Sequence, residues 1–84
     1  MAQQKEVQGR VTTQGGTPVN GASVVIKGTS TGTTTNAQGE FRINAARGAV
    51  LVVSNVGFNP QEITVGDDSQ VDVQIQMKAT DIGE

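Results

Sequence analysis

The side chains able to do chemistry in this chain are few, and their spacing limits what they could do. Glu40 and Glu62, or the adjacent Asp67 and Asp68, are the carboxylate pairs on offer for hydrolysis. General acid–base work needs two carboxyls held across one pocket with separated pKa values. Asp67 and Asp68 instead fall in a Gly66-Asp67-Asp68-Ser69 turn, where acceptors bond local backbone donors, so a solvated turn is the favoured reading. The same pair could meet Ca²⁺, yet no dense, regularly spaced set of oxygen ligands surrounds it. Lys27 invites an isopeptide bond to an Asn or Asp on a neighbouring strand. That reaction needs both partners buried beside a catalytic acid. Lys27 shares a strand face with Ser23, opposite Val24 and Ile26, and should therefore face water. The glycines form no phosphate loop, because Gly28 to Gly32 precedes a strand and offers no helix N-terminus. No catalytic residue, cofactor site or metal site is expected.

The threonine-rich segment from Thr29 to Thr35 is a different kind of candidate. It could bind a glycan, or pair with another chain through an exposed edge. The plainer reading is a polar edge strand that resists aggregation. Sugar sites favour an aromatic platform, and the two aromatics, Phe41 and Phe58, both occupy core-like positions. Thr33, Thr34 and Thr35 are thus the candidate partner-contact edge.

Composition narrows the class further. The chain has 84 residues, enough for one domain. Its net charge is −2, with 8 acidic and 6 basic residues scattered along it, which argues against a nucleic-acid footprint. With no Cys and no His, thiol and imidazole chemistry and the usual zinc ligands are excluded. Val, Thr and Gly are abundant and Leu is scarce, which favours strands over helices. The longest apolar run, Ala49 to Val53, is strand-sized and too short to span a membrane as a helix. Met1-Ala2-Gln3-Gln4 reads equally as a start placed before a mature exported N-terminus or as an ordinary cytosolic start.

The elements that must position these groups follow from period-two alternation. Strands are expected over Lys5–Thr13, Ala22–Gly28, Thr33–Thr35, Glu40–Asn44, Ala49–Asn55, Phe58–Val65 and Gln70–Lys78. In the first, Val7, Gly9 and Val11 share a face; in the last, Val71, Val73, Ile75 and Met77 should face in. Ala49–Asn55 is apolar enough to suggest burial on both faces at a sheet centre. Asn36-Ala37-Gln38-Gly39 reads as a hairpin loop, with Asn bonding the backbone two residues on and Gly supplying positive φ. Seven short strands with turn signals every 8–12 residues or so make an all-β, seven-stranded antiparallel β-sandwich, Ig-like or transthyretin-like. Residues 1–5 are expected to be a flexible N-terminus, 6–78 the sandwich, and 79–84 a flexible tail.

The ordered set Gly16-Thr17-Pro18-Val19-Asn20-Gly21-Ala22-Ser23-Val24, Lys27-Gly28-Thr29, Gly32-Thr33-Thr34-Thr35-Asn36 and Gly39-Glu40-Phe41 resembles the carboxypeptidase regulatory-like domain. It is similar in particular to the version at the mature N-terminus of SusC-like TonB-dependent outer-membrane transporters of Bacteroidetes. Leu51-Val52-Val53-Ser54-Asn55-Val56-Gly57-Phe58 and Gln61-Glu62 continue the match, which runs from Val7 to Met77. Asn36 stands where the family often has Asp, and Phe58 where it often has Tyr; both keep the turn or the packing. The resemblance implies a non-enzymatic extension on the periplasmic side of the outer membrane, followed in the parent by a TonB box, plug and barrel. Thr80-Asp81-Ile82-Gly83-Glu84 resembles the approach to that box. Implied partners are proteins: TonB or an accessory periplasmic protein, and the parent's own plug and barrel. No nucleic-acid partner and no direct membrane insertion are expected, and the isolated domain is expected to be a monomer. The rival reading is a carbohydrate-binding or adhesion accessory module of the same fold.

Overall fold

A computed structural model describes residues 4–67 and 69–77. The organising strand is β1 (Gln4–Thr13), in which Val7, Gly9 and Val11 point one way and Gln8 and Arg10 the other. It is followed by β2 (Ser23–Ile26), β3 (Gly32–Thr34), β4 (Glu40–Ala46), β5 (Val50–Ser54), β6 (Gln61–Thr64) and β7 (Gln70–Ile75). Three strands form one sheet in the order β4-β1-β7, and four form the other in the order β3-β2-β5-β6. The seven-stranded two-sheet sandwich is as the sequence predicts.

Each sheet contributes one apolar face to a single core. Val7, Val11, Phe41, Ile43, Ala45, Val73 and Ile75 come from the first sheet; Val24, Ile26, Leu51 and Val53 come from the second. Val19, Ala22 and Val65 close the core from the connections. The cross-strand pairs Val7↔Ile43, Val11↔Val73 and Val24↔Val53 set the β-branched contacts that hold each sheet in register.

Several expectations need correcting. The sandwich is not antiparallel throughout, because β1 and β7 pair in parallel from Gln8↔Gln70 to Thr13↔Ile75. Alternation specifies which side chains point inward and is blind to strand direction. Pairing in β1 begins at Gln4, inside the stretch expected to be a flexible terminus. The turn at Asn36–Gly39 has the expected local chemistry: Asn36 Oδ1 accepts from Gln38 N and Glu40 N at 2.9 Å each, and Gly39 sits at φ 76°. It is nevertheless not a hairpin within a sheet, since β3 belongs to one sheet and β4 to the other.

The strand Ala49–Asn55 does lie inside its sheet as β5, but Leu51 and Val53 are buried while Val50 and Val52 are only half-buried. A two-layer sandwich covers one face of each sheet, so full burial on both faces would need a third layer. Within Phe58–Val65 the strand is only β6, after Pro60, and Phe58 is half-buried against the core rather than within it. In the last strand Val73 and Ile75 face in and Val71 is half-buried; β7 ends at Ile75, and Met77, 72 % exposed, makes one bridge to Phe58. Lys78 and the tail 79–84 lie outside the described residues.

Candidate functional site

β3 is a three-residue strand at the free edge of its sheet. It pairs with β2 through Ser23↔Thr34, Val24↔Thr33 and Val25↔Gly32. Gly32 is required by this approach: a Cβ there would lie 2.9 Å from both the Val24 carbonyl oxygen and Val25 Cγ2. The edge is short and polar, two of the devices that keep exposed strands from indiscriminate pairing. Beside it runs β4, the edge of the other sheet. An open groove lies against this side, lined in part by Thr33, Thr34, Gln8, Arg10, Arg42 and Asp72.

The groove's charges come from strand register. Arg10 stands opposite Glu40 on β4 and Asp72 on β7, and its guanidinium reaches Glu40 at 3.5 Å. Both side chains are about half exposed, so this pair contributes little to stability. Arg42 stands opposite Gln8, with no acid facing it in the ladder. Sequence reading missed Gln8, Arg10, Arg42 and Asp72 as a group. They are far apart in the chain, and only pairing across three strands assembles them.

Thr35 departs from the expected edge. It is 4 % exposed, and its hydroxyl donates to the Val19 carbonyl at 2.6 Å while accepting the Ala22 N–H at 2.9 Å. The Ala22 N–H would otherwise seek a ladder carbonyl, but the Thr35 carbonyl instead accepts from Gly21 N at 3.1 Å. The hydroxyl thus closes the β2–β3 ladder where the chain leaves one sheet for the other. A buried, doubly bonded hydroxyl is a structural pin and not a contact surface. Thr35→Val removes both bonds at nearly constant volume and is expected to destabilise by about 1–3 kcal/mol for each buried group left unpaired. Thr35→Ser should recover most of that loss. Urea melts of the three proteins check it, and coincident midpoints for Val and wild type would mean the hydroxyl contributes nothing.

The carboxylates are not brought together. Glu40 lies on the outward face of β4 beside Arg10, whereas Glu62 lies on β6, opposite Val52 and outward from the other sheet. The core separates them. Glu62 instead accepts from Lys27 Nζ at 3.1 Å, with both side chains more than half exposed. Lys27 is therefore a surface residue in a solvated ion pair, the opposite of what isopeptide chemistry requires. Asp67 pairs with Arg47 at 3.0 Å, largely in solvent, and Asp68 lies outside the described residues. Among the described residues there is no group of three or more metal-ligating side chains. Added Ca²⁺, Mg²⁺ or Zn²⁺ is accordingly expected to leave the melting temperature unchanged, since an ion bound selectively to the native state would raise it. A saturable rise with any one of them would revive the turn at Asp67 as a ligand site.

Two sheets packed around one core, with their polar groups spread over surface ion pairs and a groove, define a small β-sandwich module. The chain belongs to the CarboxypepD_reg-like domain family, whose sequence model it matches over residues 7–83. It is 50 % identical over 64 residues to the TonB-dependent receptor SusC of Bacteroides thetaiotaomicron, a stretch covering 76 % of this chain and 6 % of that receptor. It is 43 % identical over 60 residues to TonB-dependent receptor P26 of Formosa agariphila, covering 71 % of the chain and 6 % of the receptor. With receptor P3 of the same organism the identity is 34 %, over 99 % of the chain and 8 % of the receptor. The chain thus spans less than a tenth of the length of the receptors it matches. Among solved structures it is similar in fold to a chain of a type II cohesin–X-dockerin complex from Acetivibrio cellulolyticus, with a TM-score of 0.70 and 22 % identity over 94 % of this chain and 62 % of the other.

Proposed function

We propose that this domain is the non-catalytic N-terminal extension of a TonB-dependent outer-membrane nutrient transporter, lying on the periplasmic side and acting through protein contacts. The observation that carries the reading is the 50 % identity to a segment of a SusC receptor over most of the chain. The separation of Glu40 from Glu62 across the core, and the solvated pairing of Lys27, support a role in contact rather than catalysis. The contact edge in this reading is Gly32–Thr34 together with the neighbouring groove; Thr35 holds that edge in place from within. Unpaired backbone groups on a sheet edge offer an extended segment of a partner a strand to pair with. TonB or an accessory periplasmic protein is the partner class, and a tethered domain acts on such an encounter through effective concentration. A glycan-binding role is less well supported, because Phe41 is 3 % exposed and Phe58 packs against the core.

Deleting the domain from its parent transporter is expected to leave barrel insertion and substrate binding largely intact and to impair uptake. The domain has its own core, so the barrel should not need it to fold. Growth on the transported nutrient, measured alongside surface expression for full-length and deleted forms, decides the matter. Normal growth at equal expression would exclude an essential role in transport, and loss of expression would point to assembly instead.

A further inference from the structure

The first and last strands lie side by side and run the same way. β1 and β7 share six registered pairs, from Gln8↔Gln70 to Thr13↔Ile75. The chain therefore enters β1 beyond one end of the shared ladder and leaves β7 beyond the other. Tension applied between those two ends drags the strands past each other along their length. Every rung is then strained together, and the ladder yields only when its bonds break collectively. Had the pair been antiparallel, both ends would leave from the same side, and the rungs would break in succession.

Other contacts reinforce this geometry at both ends. Near the start of β1, Lys5 Nζ donates to the Gly66 carbonyl at 3.0 Å and the Asp67 carbonyl at 2.6 Å, on the chain that leads into β7. Gln8 N donates to the Ser69 carbonyl at 2.8 Å. At the far end, Asn59 N donates to the Gln76 carbonyl at 2.8 Å, and Met77 bridges Phe58, so the outgoing chain is held against the second sheet. β1 cannot simply follow β7, because seven further pairs fix it to β4. Sliding would also pull the fully buried Val11, Val73 and Ile75 across the core.

We propose that the β1–β7 pair is a mechanical clamp: loaded between the start of β1 and the chain leaving Met77, the domain resists opening far more than when the same two strands are pulled directly apart. The mechanical property stands on the strand topology.

Force spectroscopy on the purified domain tests it directly. The chain has no Cys, so introduced thiols are unique attachment points. Handles fused at the two chain ends load β1 and β7 in shear without any substitution. Handles at Gln8→Cys and Gln70→Cys, exposed register partners, pull the same two strands directly apart. Forced opening is governed by the unfolding rate, so the two directions can differ although the folded state is the same. At equal loading rate, the end-to-end geometry is expected to open at a several-fold higher force. The length released, about 3.3–3.6 Å per residue, identifies complete opening. Lys5→Gln should lower the end-to-end force. Equal forces in the two geometries, or a lower force end to end, would overturn the proposal.

Discussion

Phe41→Ala is expected to destabilise the domain by about 3–5 kcal/mol, the range for truncating a buried aromatic. Phe41 is 3 % exposed and is the aromatic of the core, where nearly all its neighbours are Val, Ile, Leu or Ala. Its ring reaches over Gly9, the residue directly opposite on β1, and fills the space a side chain there would occupy. Truncation therefore empties a volume that no neighbour is long enough to refill. Domains of this size have only about 5 kcal/mol or somewhat more to lose, so a large fraction of the population should unfold. Each kcal/mol corresponds to a fall in melting temperature of roughly 4–8 °C for a chain this short. Urea melts with an unchanged slope and a lower midpoint would register the loss. Coincident curves for mutant and parent would mean that Phe41 does not hold the sheets together.

Gly9→Val should be nearly as damaging, for the opposite reason. A Cβ on Gly9 would lie 2.5 Å from Phe41 Cε2 and 2.8 Å from the Val71 carbonyl oxygen, and closer still to Phe41 Cζ. The ring could swing away only by vacating the core, and the Val71 carbonyl belongs to the β7 backbone. Overpacking of this kind typically costs about 1–3 kcal/mol, and here, with a backbone atom in the way, the loss should sit at or above the upper end. The two positions must also couple. Gly9→Ala should be less harmful in a Phe41→Leu background than alone, with a coupling of about 0.5–3 kcal/mol. Additivity within roughly 0.3–0.5 kcal/mol, the range seen for independent sites, would show that ring and glycine do not share the space. The glycine and the phenylalanine are thus one packing unit, a bare strand position covered by a cross-strand aromatic.

Much of this architecture is legible in the residues. Val7, Gly9 and Val11 on β1, and Val73 and Ile75 on β7, keep the face that alternation assigns them, because a period of two leaves only one register that buries them all. Asn36 and Gly39 specify their turn locally, since the side-chain acceptor and the positive φ act within a few bonds. Lys27 faces water as its position among Ser23, Val24 and Ile26 requires. Within the threonine segment, Thr33 and Thr34 lie on a sheet edge, as a short polar run with little to bury should.

What the sequence alone determined is the set of inward faces, the turns, the all-β class and the poverty of chemically reactive groups. These follow from properties of single residues and their nearest neighbours. Only the tertiary structure decided which strands lie together. It placed β3 and β4 in different sheets, ran β7 parallel to β1, and buried the Thr35 hydroxyl between Val19 and Ala22. It also gathered Gln8, Arg10, Arg42 and Asp72 beside the edge, and set Glu40 and Glu62 on opposite sides of the core. Hydrophobic burial rewards a side chain for facing inward whichever strand is its neighbour and whichever way that strand runs. The choice among pairings is made by how the connections, the backbone hydrogen bonds and one bulky ring can be satisfied at once, and that is a property of the whole chain.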